Sequence, residues 1–214
     1  ICHCLVGSEM CIRDRIYGHA VITMTEVILG LIIGILLGFI TALFLEASNF
    51  ARLTIRPILI FSQSLPVFAI APVLVLWFGY GMGSKVVMAV LIIFFPVTSA
   101  FHDGLSQTSK KFLDLAKTMR GKSSRILLYI KIPHSVPSLC SGIRLASVYA
   151  PIGAIIGEWV GSSQGLGYLM ILANGRVKTD LMFASLFTLG ILSILLYGLI
   201  NFCLNAVAYR YQYR

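Results

Sequence analysis

The chain has 214 residues, of which 58% are hydrophobic and 12% charged, about half the charge of an ordinary soluble domain at roughly 25%. At a mean hydropathy of +0.91, a water-soluble fold of this size could not hide the apolar surface, and a disordered chain is excluded for the same reason. The formal net charge of +9 therefore bears on which side of a bilayer holds the positive residues, not on nucleic acid.

The first 15 residues, ICHCLVGSEMCIRDR, read as neither a signal peptide nor a helix start, and they lack an apolar core of useful length. They resemble translated adaptor sequence, so the expected native domain is 16–214. Cys2, His3, Cys4 and Cys11 are too tightly spaced for a zinc site. Cys140 and Cys203 fall in separate apolar segments and read as small apolar residues.

A spanning helix needs roughly 20 mostly apolar residues. The first candidate is VILGLIIGILLGFITALFL, uncharged between Glu26 and Glu46. Gly30, Gly34 and Gly38 line one face of it, either for packing within the bundle or for a dimer seam. The second lies between Arg56 and Lys85 and contains Gln63, Ser64, Pro66 and Pro72. Proline frees carbonyls that a wet cavity or a neighbouring helix must satisfy, so these four are candidate path-lining or gating positions, or a simple kink. The third runs from Val86 to Phe101, where His102 and Asp103 end it.

The segment 102–137 carries seven basic and two acidic residues. Apolar positions at Leu105, Phe112, Leu113, Leu115, Ala116 and Met119, followed by 126–130, suggest a two-helix excursion that Pro133 and Pro137 stop. It fits an amphipathic helix on anionic lipid or a docking surface for a soluble partner. Residues 116–123, AKTMRGKS, nearly match a phosphate-binding loop, but no strand and nucleotide-binding sheet fit between the flanking spans. A fourth span covers about Leu139–Val160, with Pro151 inside it and Glu158 beside Trp159 near one end; Pro151 is a further bending point, and Glu158 is either functional or interfacial. Arg144 is expected to snorkel to the near surface. A fifth span is uncharged from Leu181 to Tyr209.

The expected fold is an all-α polytopic transmembrane bundle with five spans, since an open sheet cannot cross lipid unpaired. The 46–57 loop, the 102–137 loop and the C-terminus hold two, seven and two Lys or Arg; the opposite loops hold Lys85, Arg176 and Lys178. This asymmetry puts the C-terminus in the cytoplasm. No catalytic motif is present, so no catalytic, cofactor-binding or metal residue is assigned.

The motifs resemble a known family. DLAKTMRG (114–121) followed by IKIP (130–133) is similar to the E-A-A-x-x-x-G…I-x-L-P loop of the membrane permease subunits of binding-protein-dependent ABC importers. SLPVFAIAPVLVLWFGYG (64–81), SGIRLASVYAPIGAIIGEWVG (141–161) and GLGYLM (165–170) resemble the same family, so the likeness runs from about His19 to Ala208. It implies a type I ABC importer permease fold with six spans, the first lying before the five seen here. It also implies a bacterial inner-membrane location, with a separate ABC ATPase using ATP and Mg, an extracytoplasmic solute-binding protein, and a second permease copy as homodimer partner. By the same resemblance no cofactor is expected on this chain, and its expected surroundings are lipid with no nucleic acid. The loop residues carried over as the ATPase-coupling contact are Asp114, Leu115 and Ala116, with Gly121, Ile132 and Pro133. Asp replaces the family Glu and Leu115 its Ala. Arg120 stands at the family Gly, so the left-handed turn is expected to shift to Gly121 or to take a non-standard register. PVTSAFHDGL (96–105) and EWVGSSQGLGYLM (158–170) resemble permeases for the hydroxymethylpyrimidine precursor of thiamine, with nitrate, sulfonate or taurine as alternatives. Outside the family, the competing expectations are a membrane enzyme using Glu158 or His102 and a stand-alone channel or carrier.

Overall fold

The computed structural model describes the backbone of residues 2–212 and the side chains of 16–209 apart from residues 49, 110 and 117. Among the described residues every regular element is helical. Helix α1 (Cys2–Ala47) is followed by α2 (Asn49–Ser64), α3 (Val67–Phe78) and α4 (Met82–Ser106). Two short helices, α5 (Lys110–Thr118) and α6 (Ser123–Ile126), lead through a π-helical turn (Leu127–Lys131) into α7 (Ile132–Gly161). Helices α8 (Leu166–Gly175) and α9 (Thr179–Gln212) complete the chain. The side chains of Cys2, His3, Cys4 and Cys11 lie outside the described residues. The backbone is helical from Cys2, although the sequence predicts no helix start there; no proline interrupts 2–15, so the helix propagates back from the span.

Four described helices are long and apolar enough to cross a membrane, over Ile16–Ala47, Met82–Ser106, Ser123–Gly161 and Thr179–Tyr209. The second predicted span is bent instead: α2 and α3 meet at 101°. The break is local chemistry. Leu65 precedes a proline and is driven into an extended conformation (φ −79°, ψ 127°), and Pro66 has no amide to continue α2. Pro72 and Pro151, expected as bending points, lie inside the continuous helices α3 and α7.

The core forms where α4 meets α7 on one side and α1 on the other. Gly30, Gly34 and Gly38 face α4, not a dimer seam. A Cβ on them would lie 2.5 Å from Ala89 Cβ, 2.8 Å from Ile93 Cγ2 and 2.9 Å from Val97 Cβ. On the far side Gly142 and Gly153 bring α7 equally close to Ala100 and Ala89. Small residues thus let three backbones approach closely, which lipid cannot drive by hydrophobicity alone. Val27, Leu31, Ala146, Ala150 and Ala154 fill the remaining space. Helix α9 presents Phe187, Ile194, Leu199 and Phe202 outward, the composition of a lipid-facing surface. Arg144 on α7 is held by α9, donating to Asn205 Oδ1 at 2.6 Å.

Three boundaries differ from the sequence reading. Helix α4 starts at Met82 and encloses Lys85, a loop residue by sequence; its ammonium is buried against Glu26 of α1 at 2.7 Å. The same helix runs past His102 and Asp103 to Ser106. Pro133 and Pro137 do not stop a segment: Pro133 sits in the first turn of α7, where a missing amide costs little, and Pro137 lies inside the helix. The excursion between α4 and α7 is therefore 107–131, shorter than 102–137, and from Ser123 it already runs as helix into α7.

Candidate functional site

The excursion is built on α5. Phe112, Leu115 and Met119, spaced i, i+3, i+7, form one exposed apolar face, with Asp114 also exposed beside them. Leu113 turns inward, lining a cavity beneath the helix. The helix ends in a Schellman cap: the Gly121 amide donates to Ala116 O at 2.9 Å, around Arg120 at φ 56°. The left-handed turn thus stays at position 120 and does not shift to Gly121. An exposed arginine takes it at a cost of roughly 1–2 kcal/mol. Gly121 is needed for closeness instead, since a Cβ there would lie 2.8 Å from Ala116 O. Residues 116–123 are helix end, cap and helix start, not a strand-to-helix phosphate loop. Asp114, Leu115, Ala116 and Gly121 are thus brought together. Ile132 and Pro133 stand apart in the first turn of α7, where Ile132 packs on Ala42, Phe101 and Leu105.

A second feature is a groove of about 490 Å³ between α2, α4 and α7, with Gln63, Ser99, Asp103 and Tyr149 as its polar lining. Gln63 Nε2 donates to Leu91 O at 3.4 Å, and Ser99 Oγ lies 3.5 Å from Asp103 Oδ2. Phe95, Pro96, Ala100 and Leu145 supply apolar walls. Asp103 is exposed on this face. A carboxylate facing hydrocarbon costs about 2.5–3.5 kcal/mol near a helix centre, so such groups face water or protein. Sequence reasoning misses Asp103 because it closes the third span at Phe101, and Ser99 and Tyr149 because hydropathy does not tell which face of a span lines a groove; the four-residue spacing of Ser99 and Asp103 is the available signal.

Of the six predicted path residues, only Gln63 lines this groove. Ser64 bonds back to Phe61 O on another face of α2, Pro66 makes the bend, and Pro72 and Pro151 lie within helices. Glu158 is 1% exposed and anchors the loop before α8. Its Oε1 accepts from Thr23 Oγ1 at 2.6 Å and its Oε2 from the Gly167 amide. Thr23 Oγ1 in turn accepts from the Leu166 amide at 2.8 Å, and His19 Nδ1 from the Gly165 amide at 2.9 Å. Orphan amides at the start of α8 are thereby capped from α7 and α1. Gly165, at φ 115°, touches the carboxyl so closely that a Cβ would overlap it. Glu158 and His102 also lie at opposite ends of the bundle: Gly157 abuts Lys85, and Lys85 and His102 are about 25 Å apart by helical rise.

Comparison with known proteins agrees with this layout. Residues 34–213 match the family described as binding-protein-dependent transport system inner membrane component. The chain is 50% identical over 210 residues to a Haemophilus influenzae protein named probable ABC transporter permease protein, covering 95% of this chain and 86% of that one. It is 36% identical over 179 residues to the formylaminopyrimidine transport permease protein ThiX of Halalkalibacterium halodurans, covering 84% and 72%. In fold it resembles a chain of the MetNI methionine ABC transporter in an inward-facing conformation, with a TM-score of 0.70 at 16% identity, covering 94% and 98%. With a family match across most of its length and a helical bundle to go with it, this chain belongs to the membrane permeases of ABC importers.

Proposed function

We propose that the chain forms half of a homodimeric pore that imports a neutral aminopyrimidine of the thiamine-precursor type. The observation that carries this is the polar row of Gln63, Ser99, Asp103 and Tyr149 along an otherwise apolar groove. Asp103 accepts from an exocyclic amine. The Gln63 amide and the Ser99 and Tyr149 hydroxyls donate to ring nitrogens, and Phe95 offers an aromatic wall. A carboxylate in the groove repels nitrate and simple sulfonates, which argues for the pyrimidine over those anions. The relative named for formylaminopyrimidine transport supports the same choice.

In this reading the apolar face of α5, with Asp114, Ala116 and the Arg120–Gly121 cap, fits a groove on a separate ATPase subunit that binds ATP and Mg. A loaded solute-binding protein docks on the opposite side. The bare face of α2, α3 and α4 meets the second copy, whose matching groove completes the path. Loop charge supports a cytoplasmic C-terminus: with Lys85 buried inside α4, Arg176 and Lys178 are the Lys or Arg left in the opposite loops among the described residues.

The test is uptake in proteoliposomes holding the permease, its ATPase and its binding protein. Labelled formylaminopyrimidine should accumulate with ATP, and Asp103→Asn should cut uptake about tenfold, equivalent to about 1.4 kcal/mol, with subunit assembly unchanged. Accumulation of taurine instead, or no effect of Asp103→Asn, would refute the solute assignment.

A further inference from the structure

Glu46 closes the cytoplasmic end of α1, and its side chain is 7% exposed. It accepts from two cations on two different elements. Oε2 lies 3.3 Å from Arg52 Nη2, in the first turns of α2, and Oε1 is paired with Lys131 Nζ. Lys131 is the last residue of the π-helical turn that joins the α5–α6 excursion to α7. Wide turns of this kind recur at functional positions, since the extra residue lets a helix change register locally.

Two further observations make this joint more than a static clamp. A cavity of about 320 Å³ separates the end of α1 from the excursion, lined by Glu46, Leu113, Ser123, Ser124, Leu127 and Lys131. The excursion has room to move against the bundle. Arg52 Nε is buried and has no hydrogen-bond partner. A guanidinium holding a carboxylate by one nitrogen, with a second donor idle, is half of a bidentate pair. Helix α2 is otherwise loosely held: Phe50, Leu53, Ile58 and Phe61 are exposed, and its far end is linked to α4 through Gln63 and Leu91 O.

We propose that Glu46 is the positioning residue that relays movement of the 107–131 excursion to α2, and through α2 to Gln63 in the groove. With Lys131 on Glu46, Arg52 holds the carboxylate by one nitrogen. When the excursion withdraws Lys131, Oε1 is released to Arg52 Nε, the pair becomes bidentate, and α2 turns with it. The joint therefore has two discrete arrangements that a partner pressing on α5 can bias. The relay rests on the importer reading above, because that reading supplies the moving partner.

The experiment uses the complete importer in lipid nanodiscs and proteoliposomes, reading subunit assembly, ATP hydrolysis and solute uptake separately. Lys131→Gln and Glu46→Gln should leave assembly intact and basal hydrolysis within about twofold, while solute moved per ATP falls at least about tenfold. Lys131→Arg should restore that ratio to within about twofold, because it keeps the charge. An unchanged ratio in Lys131→Gln overturns the relay, as does a Lys131→Arg protein as impaired as Lys131→Gln. Loss of assembly in Lys131→Gln would place Lys131 in the docking contact and also overturn it. Failure of the unaltered chain to hold any ATPase removes the importer reading itself, and the relay with it. Lys131 is partly exposed and its replacement is the milder change, so the Lys131 variants decide the outcome even where Glu46→Gln fails to fold.

Discussion

Replacing Gly34 with alanine tests the contact on which the bundle is built. A Cβ there would lie 2.8 Å from Ile93 Cγ2 and 3.0 Å from Ile93 Cβ. Carbon atoms prefer a separation of about 3.5–4.0 Å, so α1 and α4 must part by roughly 1 Å, or Ile93 must leave its rotamer. Neither is easy, because Ile93 is fully buried among Val27, Leu31 and Ala150. Overpacking of this kind costs about 1–3 kcal/mol. Alanine also favours the helix by roughly 0.5–1 kcal/mol over glycine, which would mask part of the loss. Gly198→Ala on α9 supplies the control, since a Cβ there meets nothing within 4 Å. The difference between the two variants isolates the packing contribution, about 1–3 kcal/mol. The assay is thermal unfolding in detergent followed by labelling of Cys140, a buried thiol that becomes reactive when the bundle opens. Equal stability of Gly34→Ala and Gly198→Ala would refute the glycine-mediated approach of α1 to α4.

Glu158→Ala should destabilise by about 1–3 kcal/mol because the Gly167 amide loses its acceptor in a buried place, whereas Glu158→Gln, which keeps a carbonyl, should come close to the unaltered protein in the same assay. Thr23 moderates the loss, since without Glu158 its single hydroxyl proton turns to His19 O, 3.1 Å away. Arg120→Gly should slow exchange of the Gly121 amide and stabilise the α5 cap by roughly 1 kcal/mol, measured by hydrogen exchange; faster exchange would count against the left-handed arginine. Leu115→Glu should abolish co-purification with the ATPase subunit while leaving the melting temperature unchanged, because its side chain lies on the exposed face of α5. An intact complex in that variant would move the docking surface elsewhere.

Hydropathy reveals the five apolar segments and the helical class because both depend on sums along the chain. It does not reveal azimuth. By sequence Asp103 stands at the edge of a loop and Ser99 inside a span, yet on a helix extended by five residues both turn into the groove beside Gln63. Lys85 and Glu26 mark span boundaries when each is weighed alone, because each is costly by itself; facing each other at 2.7 Å they are interior. The bend at Leu65–Pro66 is legible as a proline signal, but its 101° depends on how α2 and α3 find separate neighbours. The α5 loop is the clearest case of the reverse: motif spacing locates Asp114–Ala116 on one short helix, and only the backbone at Arg120 departs from the expected turn.

The ion pair of Glu26 and Lys85 bears on how the protein is made. Helix α1 leaves the ribosome before α4, and its carboxylate then lacks the Lys85 ammonium near one membrane face. Each such charge costs about 2.5–3.5 kcal/mol if carried toward the bilayer centre alone. When α4 emerges, its ammonium finds that carboxylate, and two unfavourable insertions become one neutral unit. Settling α4 to its full depth is thus conditional on α1 already being in place, so the two buried charges impose an order on biosynthesis as well as a contact in the finished bundle.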